Sequence, residues 1–252
     1  MVSITEKSKL YIFQKGFNYS QDGPGNRLVY HLAGCNMFCP WCSNPEGLTL
    51  SEALSPTSVA DVVKEAENAR MIFIDGGGVT FTGGEATLQR DAVLYAVNSL
   101  KEKGISTCIE TNASLPCCEK LFDAVDYMIA DFKSPDAKKL KELCGGDIDT
   151  IKKNLLFRAR TGKPLLIRIP LIKFFNCSKE NAEDFCKFFT ELKAESKNDN
   201  LQFEILTYHE FGKDKYKQIG KGYTVTDGFV TADDVSILKS ELTKNNLKLT
   251  NT

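Results

Sequence analysis

The sequence predicts an α/β fold in one domain, with parallel strands alternating with helices. Six stretches read as strands along the chain, at 27–33, 71–75, 104–112 (a strand with its loop), 124–130, 165–171 and 201–206. Between them the apolar residues repeat with helical spacing, and such alternation builds a parallel sheet with right-handed crossovers. The run Leu165-Leu-Ile-Arg-Ile-Pro-Leu171 is apolar almost throughout, as in a parallel strand covered on both faces.

Composition narrows the class. The 252 residues are 42% apolar and 26% charged, an ordinary soluble globular mixture. The formal net charge of −1 gives no electrostatic reason to expect nucleic acid or an anionic membrane as partner. The first residues lack the apolar stretch of a signal peptide, and no run approaches the ~18 apolar residues of a membrane span. Nine cysteines without such a signal suit a reducing compartment, where thiols bind metal or stay reduced. The expectation is a cytoplasmic protein. No repeat, linker or low-complexity stretch divides residues 1–252.

Taken in order, residues 10–14 read as a short opening strand, followed by Asp22-Gly-Pro-Gly-Asn-Arg27, where Gly-Pro-Gly dictates a tight turn. The strand at 27–33 delivers Gly34 and Cys35 to its C-terminal end, where catalytic groups collect in β/α barrels. Ser55-Pro56 ahead of Val59, Val62, Val63 and Ala66 predicts a capped helix with proline in its first turn. The strand at 71–75 runs into Gly76-Gly-Gly-Val-Thr-Phe-Thr-Gly83-Gly84-Glu85, which lacks both a G-x-G-x-x-G pattern and a Walker lysine. A helix over 91–101, a strand over 104–112 and a strand over 124–130 follow, the last delivering Asp131-Phe132-Lys133. A helix at 150–159 precedes the strand at 165–171, whose internal Arg168 needs a partner to offset burial of its charge. Ser178 opens a helix with Ala182, Phe185, Cys186, Phe189 and Leu192 on one face. The strand at 201–206 ends in Tyr208-His209, and Thr231-Ala-Asp-Asp234 caps a last helix.

The chemistry concentrates in Cys35-Asn-Met-Phe-Cys39-Pro-Trp41-Cys42. A structural zinc site takes four ligands, usually in two separated pairs, and a complete iron–sulfur cluster takes four thiolates. This stretch supplies three, and the next cysteine is Cys108. Three thiolates leave one iron open, as a catalytic metal site requires. Buried structural cysteines or an incomplete zinc knuckle are the bland alternatives.

The run Gly34-Cys35-x3-Cys39-x-Trp41-Cys42-Ser43-Asn44-Pro45 resembles the signature of the radical S-adenosylmethionine (SAM) enzymes, and within them the activating enzymes of glycyl radical enzymes. Five more stretches are similar to that family: Asp22-Gly-Pro-Gly-x-Arg27, Gly77-Gly-Val-Thr-Phe-Thr-Gly-Gly-Glu85, Glu110-Thr-Asn112, Asp131-x-Lys133 and Tyr208-His209. Departures are Ala86 and Thr207 for prolines, Glu110 for an aspartate, and Lys173-Phe-Phe-Asn176 for a P-G-x-N loop.

The resemblance implies a partial (β/α)6 barrel of the TIM type. It implies a [4Fe–4S] cluster on Cys35, Cys39 and Cys42, its fourth iron chelated by SAM. SAM contacts are implied for Trp41, Cys42, Ser43, Asn44, Gly83, Gly84, Glu85, Asp131, Phe132, Lys133, Arg168 and His209. A monovalent cation is implied at Glu110, Thr111, the Ile129 carbonyl and Asp131, and Asp22 is placed near the docking partner. The implied reaction is reductive SAM cleavage, with the resulting radical taking a glycine Cα hydrogen from a partner enzyme under anaerobic conditions. A flavodoxin or ferredoxin would donate the electron, and a monomer is expected. Residues 43–107 contain no cysteine, so the ferredoxin-like insertion of many relatives is absent. Two other readings stay open at this point. One is a small-molecule radical SAM enzyme such as a 7-carboxy-7-deazaguanine synthase-like protein. The other is a non-enzymatic iron–sulfur electron-transfer protein, which would show four thiolates and no SAM binding.

Overall fold

The computed structural model describes residues 5, 7–51, 54–197 and 199–250. They form two compact units: residues up to 36, 46–111 and 117–129 make the first, and 37–45, 112–116 and 130 onward the second.

The first unit contains β1 (Lys9–Leu10), β2 (Ile12–Tyr19), β3 (Asn26–Leu32), β4 (Thr57–Ser58), α1 (Val59–Asn68), β5 (Gly78–Gly83), α2 (Arg90–Glu102), β6 (Ser106–Thr111) and α3 (Glu119–Ala124). Strand β7 (Tyr127–Asp131) begins there and ends in the second unit. β2 and β3 pair as an antiparallel hairpin, so the opening strand is longer than expected and is the one antiparallel neighbour of β3. From β3 onward the pairing is parallel, β3 with β5 and β5 with β6. The buried Leu28, Val29, Tyr30 and Leu32 give β3 the two-sided burial its apolar sequence demands.

Two local expectations are corrected. Residues 71–75 are not a strand: Arg70–Ile72 is a 3-10 turn, and Met71 is 91% exposed, with Ile72 and Ile74 also open to solvent. The strand is Gly78–Gly83 instead, because its register against β3 and β6 needs the space glycine leaves. A Cβ on Gly78 would lie 2.1 Å from the Ser106 carbonyl oxygen, and the alternating Val79 and Phe81 are fully buried. Helix α1 is capped by Ser58, whose hydroxyl accepts from the Asp61 N–H at 3.1 Å, and not from Ser55-Pro56. Residues 57–58 pair with β1, which places the chain reversal nearer the helix. The strand expected over 124–130 likewise starts at Tyr127, Ala124 closing α3.

The second unit contains α4 (Ala137–Cys144), α5 (Ile148–Thr161), β8 (Leu165–Leu171), α6 (Lys173–Asn176), α7 (Lys179–Glu195), β9 (Leu201–Thr207), α8 (Lys213–Gln218) and α9 (Ala232–Lys244). β8 and β9 are parallel and in register over seven pairs. Asp136, Asp147, Ser178 and Thr231 cap their helices with side-chain oxygens, and Thr231 with Asp234 forms a full capping box. The core gathers Phe132, Phe185, Phe188, Phe189 and Phe203, with ring centroids 4.7–6.0 Å apart. Cys186 is buried with them, as its helical spacing predicts. No helix among the described residues is long and apolar enough to cross a membrane.

Candidate functional site

Cys35 belongs to the first unit, and Cys39 and Cys42 to the second. In the first unit the segment leading to Cys35 is laced to two loops. Gly34 donates its N–H to the Gly47 carbonyl at 2.8 Å, and Cys35 donates to the Leu48 carbonyl at 3.1 Å. The Gly34 carbonyl accepts from the Glu85 N–H at 2.7 Å, and the Leu32 carbonyl from Gly84 at 2.8 Å. A Cβ on Gly84 would come within 2.1 Å of the Gly34 oxygen, so the paired glycines are needed for the ends of β3 and β5 to meet. Glu85 is 1% exposed. Its Oε1 accepts from the Thr87 N–H at 2.9 Å, the Thr87 hydroxyl at 2.5 Å and the Thr111 hydroxyl at 2.7 Å. Glu110 accepts from the Thr82 hydroxyl at 2.7 Å. Cys35, Gly83, Gly84, Glu85, Glu110 and Thr111 thus share the C-terminal ends of parallel strands.

Asp22 lies at the other end. It sits in the β2–β3 hairpin turn, ahead of β3, whose seven residues span roughly 23 Å. The Asn18 amide donates to its carboxylate, and the Thr80 hydroxyl donates to its carbonyl at 2.6 Å. Arg27, fully buried, donates to Thr80 Oγ1 at 2.6 Å, to the Val79 carbonyl at 2.8 Å and to the Pro24 carbonyl at 3.2 Å. Burial lowers the Arg27 pKa, and these acceptors offset the cost of its charge. The Asp-Gly-Pro-Gly-x-Arg stretch therefore has an architectural role in this unit.

In the second unit the cysteine loop is held from several sides. The Cys42 N–H donates to the Cys39 carbonyl at 3.1 Å, forming a turn, and the Tyr216 hydroxyl donates to the same carbonyl at 3.2 Å. Gly212 lies so close that a Cβ there would meet the Cys42 carbonyl oxygen at 2.0 Å. Lys215 Nζ donates to Asn44 Oδ1 at 2.8 Å. Trp41 is buried against Phe175 at 4.8 Å and Phe174 at 6.0 Å, and Ser43 is half-buried. Lys133 pairs with Asp131 at 2.6 Å. The Asn176 amide donates to the Lys133 and Pro170 carbonyls, both at 2.7 Å, so the departing Lys173–Asn176 loop still pins the end of β8. Phe132 points its ring into the core, leaving its backbone beside Arg168, whose carbonyl accepts the Phe132 N–H at 2.9 Å. Arg168 Nε donates to Glu204 Oε2 at 2.7 Å. His209 stacks on Phe211 at 4.0 Å, and burial lowers its pKa and favours the neutral ring.

The electrostatics favour a thiolate at Cys39. A hydrogen bond from Cys144 and the Lys133 ammonium lower its pKa against the opposing effect of burial. Burial alone would lower the Lys133 pKa, but the Asp131 and Cys39 charges outweigh it and raise the value. Tyr216 is pushed up to about 12 by burial and by Cys42 and Cys39. The donor set of the loop is all sulfur and, at Cys39, stabilised in the ionised form, which fits thiolate ligation of iron. Among the described residues no three His, Cys, Asp or Glu side chains converge on one metal ion, and a four-iron cluster takes its thiolates on separate irons.

The sequence did not single out Glu204, Cys144, Lys215 or Tyr216. Glu204 had a signal, an acid within an apolar strand. Helices α4 and α8, which supply the others, are too short for periodicity to mark them.

A profile of the radical SAM superfamily matches residues 29–188. A pyruvate formate-lyase-activating enzyme from Streptococcus mutans is 33% identical over 214 residues, covering 81% of this chain and 79% of the relative. One from Staphylococcus aureus is 30% identical over 237 residues, covering 90% and 91%. The 4-hydroxyphenylacetate decarboxylase activating enzyme of Clostridioides difficile is 28% identical over 271 residues, covering 82% and 84%. That alignment is longer than this chain, so the relative carries stretches with no counterpart here. Among solved structures, SuiB of Streptococcus suis bound to S-adenosylmethionine matches with a TM-score of 0.66 at 20% identity, over 89% of this chain and 49% of that one. A domain of a pyruvate-formate lyase-activating enzyme from Bacteroides vulgatus matches at 0.56 and 23%, over 69% and 98%. These likenesses show the fold, the parallel α/β partial barrel the sequence predicts. The chain belongs to the radical SAM superfamily and, within it, to the activating enzymes of glycyl radical enzymes.

Proposed function

We infer that this protein is a radical SAM activase that takes a hydrogen atom from a glycine Cα of a partner enzyme. The observation that carries the reading is the three-thiolate loop at 35–42, with Cys39 buried and stabilised as a thiolate, in a chain aligned over four-fifths of its length with a pyruvate formate-lyase-activating enzyme. When bound, the cluster and SAM supply one-electron reduction and hydrogen-atom abstraction. The chain supplies binding, orientation and exclusion of water.

Cys35, Cys39 and Cys42 would hold the cluster. The Trp41–Asn44 segment, the Gly83-Gly84-Glu85 loop, Asp131, Lys133, Arg168 and His209 are assigned to SAM. The burial and internal bonding of Glu85 and Phe132 favour their backbone, more than their side chains, for that contact. Lys133 keeps a positive charge on the Cys39 side, and Trp41 with Phe174 and Phe175 screens the loop from water. Glu110, Thr111, the Ile129 carbonyl and Asp131 are the residues assigned to a monovalent cation. Asp22 is assigned to the partner surface, and its distance along β3 from Cys35 favours contact with the partner's body over contact with the reacting glycine. A flavodoxin or ferredoxin as reductant, a monomeric state and a cytoplasmic location complete the proposal.

The test is anaerobic reconstitution with iron and sulfide, then dithionite reduction with SAM and assay for 5′-deoxyadenosine. The wild type forms it, and Cys39→Ala does not. Added pyruvate formate-lyase or 4-hydroxyphenylacetate decarboxylase then reports activation as a glycyl radical signal in electron paramagnetic resonance. Failure to take up any cluster would overturn the reading.

A further inference from the structure

The C-terminal ends of β8 and β9 carry three exposed phenylalanines beside the cysteine loop. The two strands are parallel and in register, Leu171 against Thr207, so the segments that follow them leave the sheet side by side. The first segment contains the exposed Phe174, whose ring lies edge-on to Trp41 at 6.0 Å. The second contains Phe211, 75% exposed, stacked on His209 at 4.0 Å and followed by Gly212, which abuts the Cys42 carbonyl. Phe229, 63% exposed, joins them from the segment ahead of α9. Its ring meets Tyr208 edge-on at 4.9 Å, and the Lys173 N–H donates to the neighbouring Gly228 carbonyl at 3.1 Å. Each ring is packed on one side and open on the other. Single exposed apolar residues are ordinary, but three aromatic rings on adjoining segments have the composition of an interface.

The lysines closest to Phe174 and Phe211 in the chain already have partners. Lys173 pairs with Asp234 and Lys213 with Glu210, both at 2.7 Å, and Lys215 donates to Asn44 at 2.8 Å. The chemistry left facing outward at these strand ends is aromatic. An acidic segment laid over it would lose hydration without gaining a counter-charge, whereas an apolar one would gain burial. The reacting residue of the partner is a glycine, which has no side chain by which to be selected, so its neighbours have to carry the recognition. We propose that Phe174, Phe211 and Phe229 dock apolar side chains that flank the reacting glycine of the partner enzyme, and so determine which partners are activated. The proposal rests on the reading of this chain as a glycyl radical activase. Phe229 is its cleanest member, because the ring beneath it belongs to Tyr208 and not to a residue assigned to the cluster or SAM.

The test measures glycyl radical formation by electron paramagnetic resonance over a range of partner concentrations, for wild type, Phe229→Ser and Phe229→Leu. The partner is whichever of pyruvate formate-lyase and 4-hydroxyphenylacetate decarboxylase the wild type activates. Phe229→Ser is expected to raise the KM for the partner about tenfold with little change in kcat. Phe229→Leu keeps an apolar contact and is expected to restore most of the wild-type KM. Two synthetic peptides with a central glycine, flanked by leucines or by aspartates, are then compared as inhibitors of wild-type activation. The leucine peptide should inhibit at about a tenfold lower concentration. Equal KM values in wild type and Phe229→Ser, or equal inhibition by the two peptides, would overturn the proposal. A wild-type dimer in sedimentation that Phe229→Ser dissolves would overturn it too, by assigning the surface to a second copy of this chain. Should Phe229→Ser fail to fold, the peptide comparison on the wild type decides. Formation of 5′-deoxyadenosine without partner is followed on the same samples, and its absence in the wild type would bring down the activase reading itself.

Discussion

Arg168 and Glu204 face each other in register across two parallel strands and close a 2.7 Å ion pair, their side chains 13% and 5% exposed. An arginine inside an apolar strand demanded a partner, and the neighbouring strand supplies a carboxylate from the chain itself. A guanidinium carries five N–H donors, and the bond from Nε to Glu204 uses one of them. Glu204 thus fixes the orientation in which Arg168 is presented.

Removing one member of so buried a pair leaves an uncompensated charge. Glu204→Leu is expected to cost about 3–5 kcal/mol in denaturant unfolding of the apo-protein. The double variant Arg168→Met/Glu204→Leu should recover most of that loss, since two apolar side chains of similar size need no pairing. A double variant as unstable as the single one would show that the charges are not the cause.

Gly84 offers a steric test. A Cβ there meets the Gly34 and Gly47 carbonyl oxygens at 2.1 and 2.5 Å, whereas nothing lies within 4 Å of one on Gly222. Gly84→Ala should lose about 1–3 kcal/mol or more. Gly222→Ala should stay within about 0.5 kcal/mol of wild type. Both are read from denaturant midpoints.

Acid sensitivity has an identifiable contributor at the start of α9. Lys173 and the Thr231 N–H and hydroxyl hold the Asp234 carboxyl at about 2, below the ordinary 3.8. The unfolded chain therefore binds the extra proton first, and stability rises with pH across that interval. The contribution is complete above 3.8 and is lost as pH falls towards about 2. Unfolding curves of Asp234→Asn should lack that part of the pH slope.

Trp41 is the single tryptophan, and it lies between two of the loop cysteines. Its fluorescence should fall when iron and sulfide are supplied to the wild type and stay unchanged in Cys39→Ala. Equal quenching in both would mean that iron binds elsewhere.

Much of this was legible in the chain. The spacing of Cys35, Cys39 and Cys42, the β8 and β9 runs, the Ser178 and Thr231 caps and the core position of Cys186 all follow from patterns a few residues long. Such patterns act through neighbours along the backbone, so the local sequence contains the whole cause.

Pairings between distant segments were decided by tertiary structure. The apolar stretch at 71–75 lost its place in the sheet to the glycine-flanked Gly78–Gly83, because only the latter fits between β3 and β6. Glu85 turned inward to Thr87 and Thr111, Asp22 came to rest at the strand end away from Cys35, and Phe132 joined the aromatic core. Cys144, more than a hundred residues further along the chain, meets the Phe38 backbone through a helix end and two glycines. By itself the sequence determined which ligands this protein has to offer. Register and close packing, which depend on the shapes of segments far apart in the chain, decided what surrounds them.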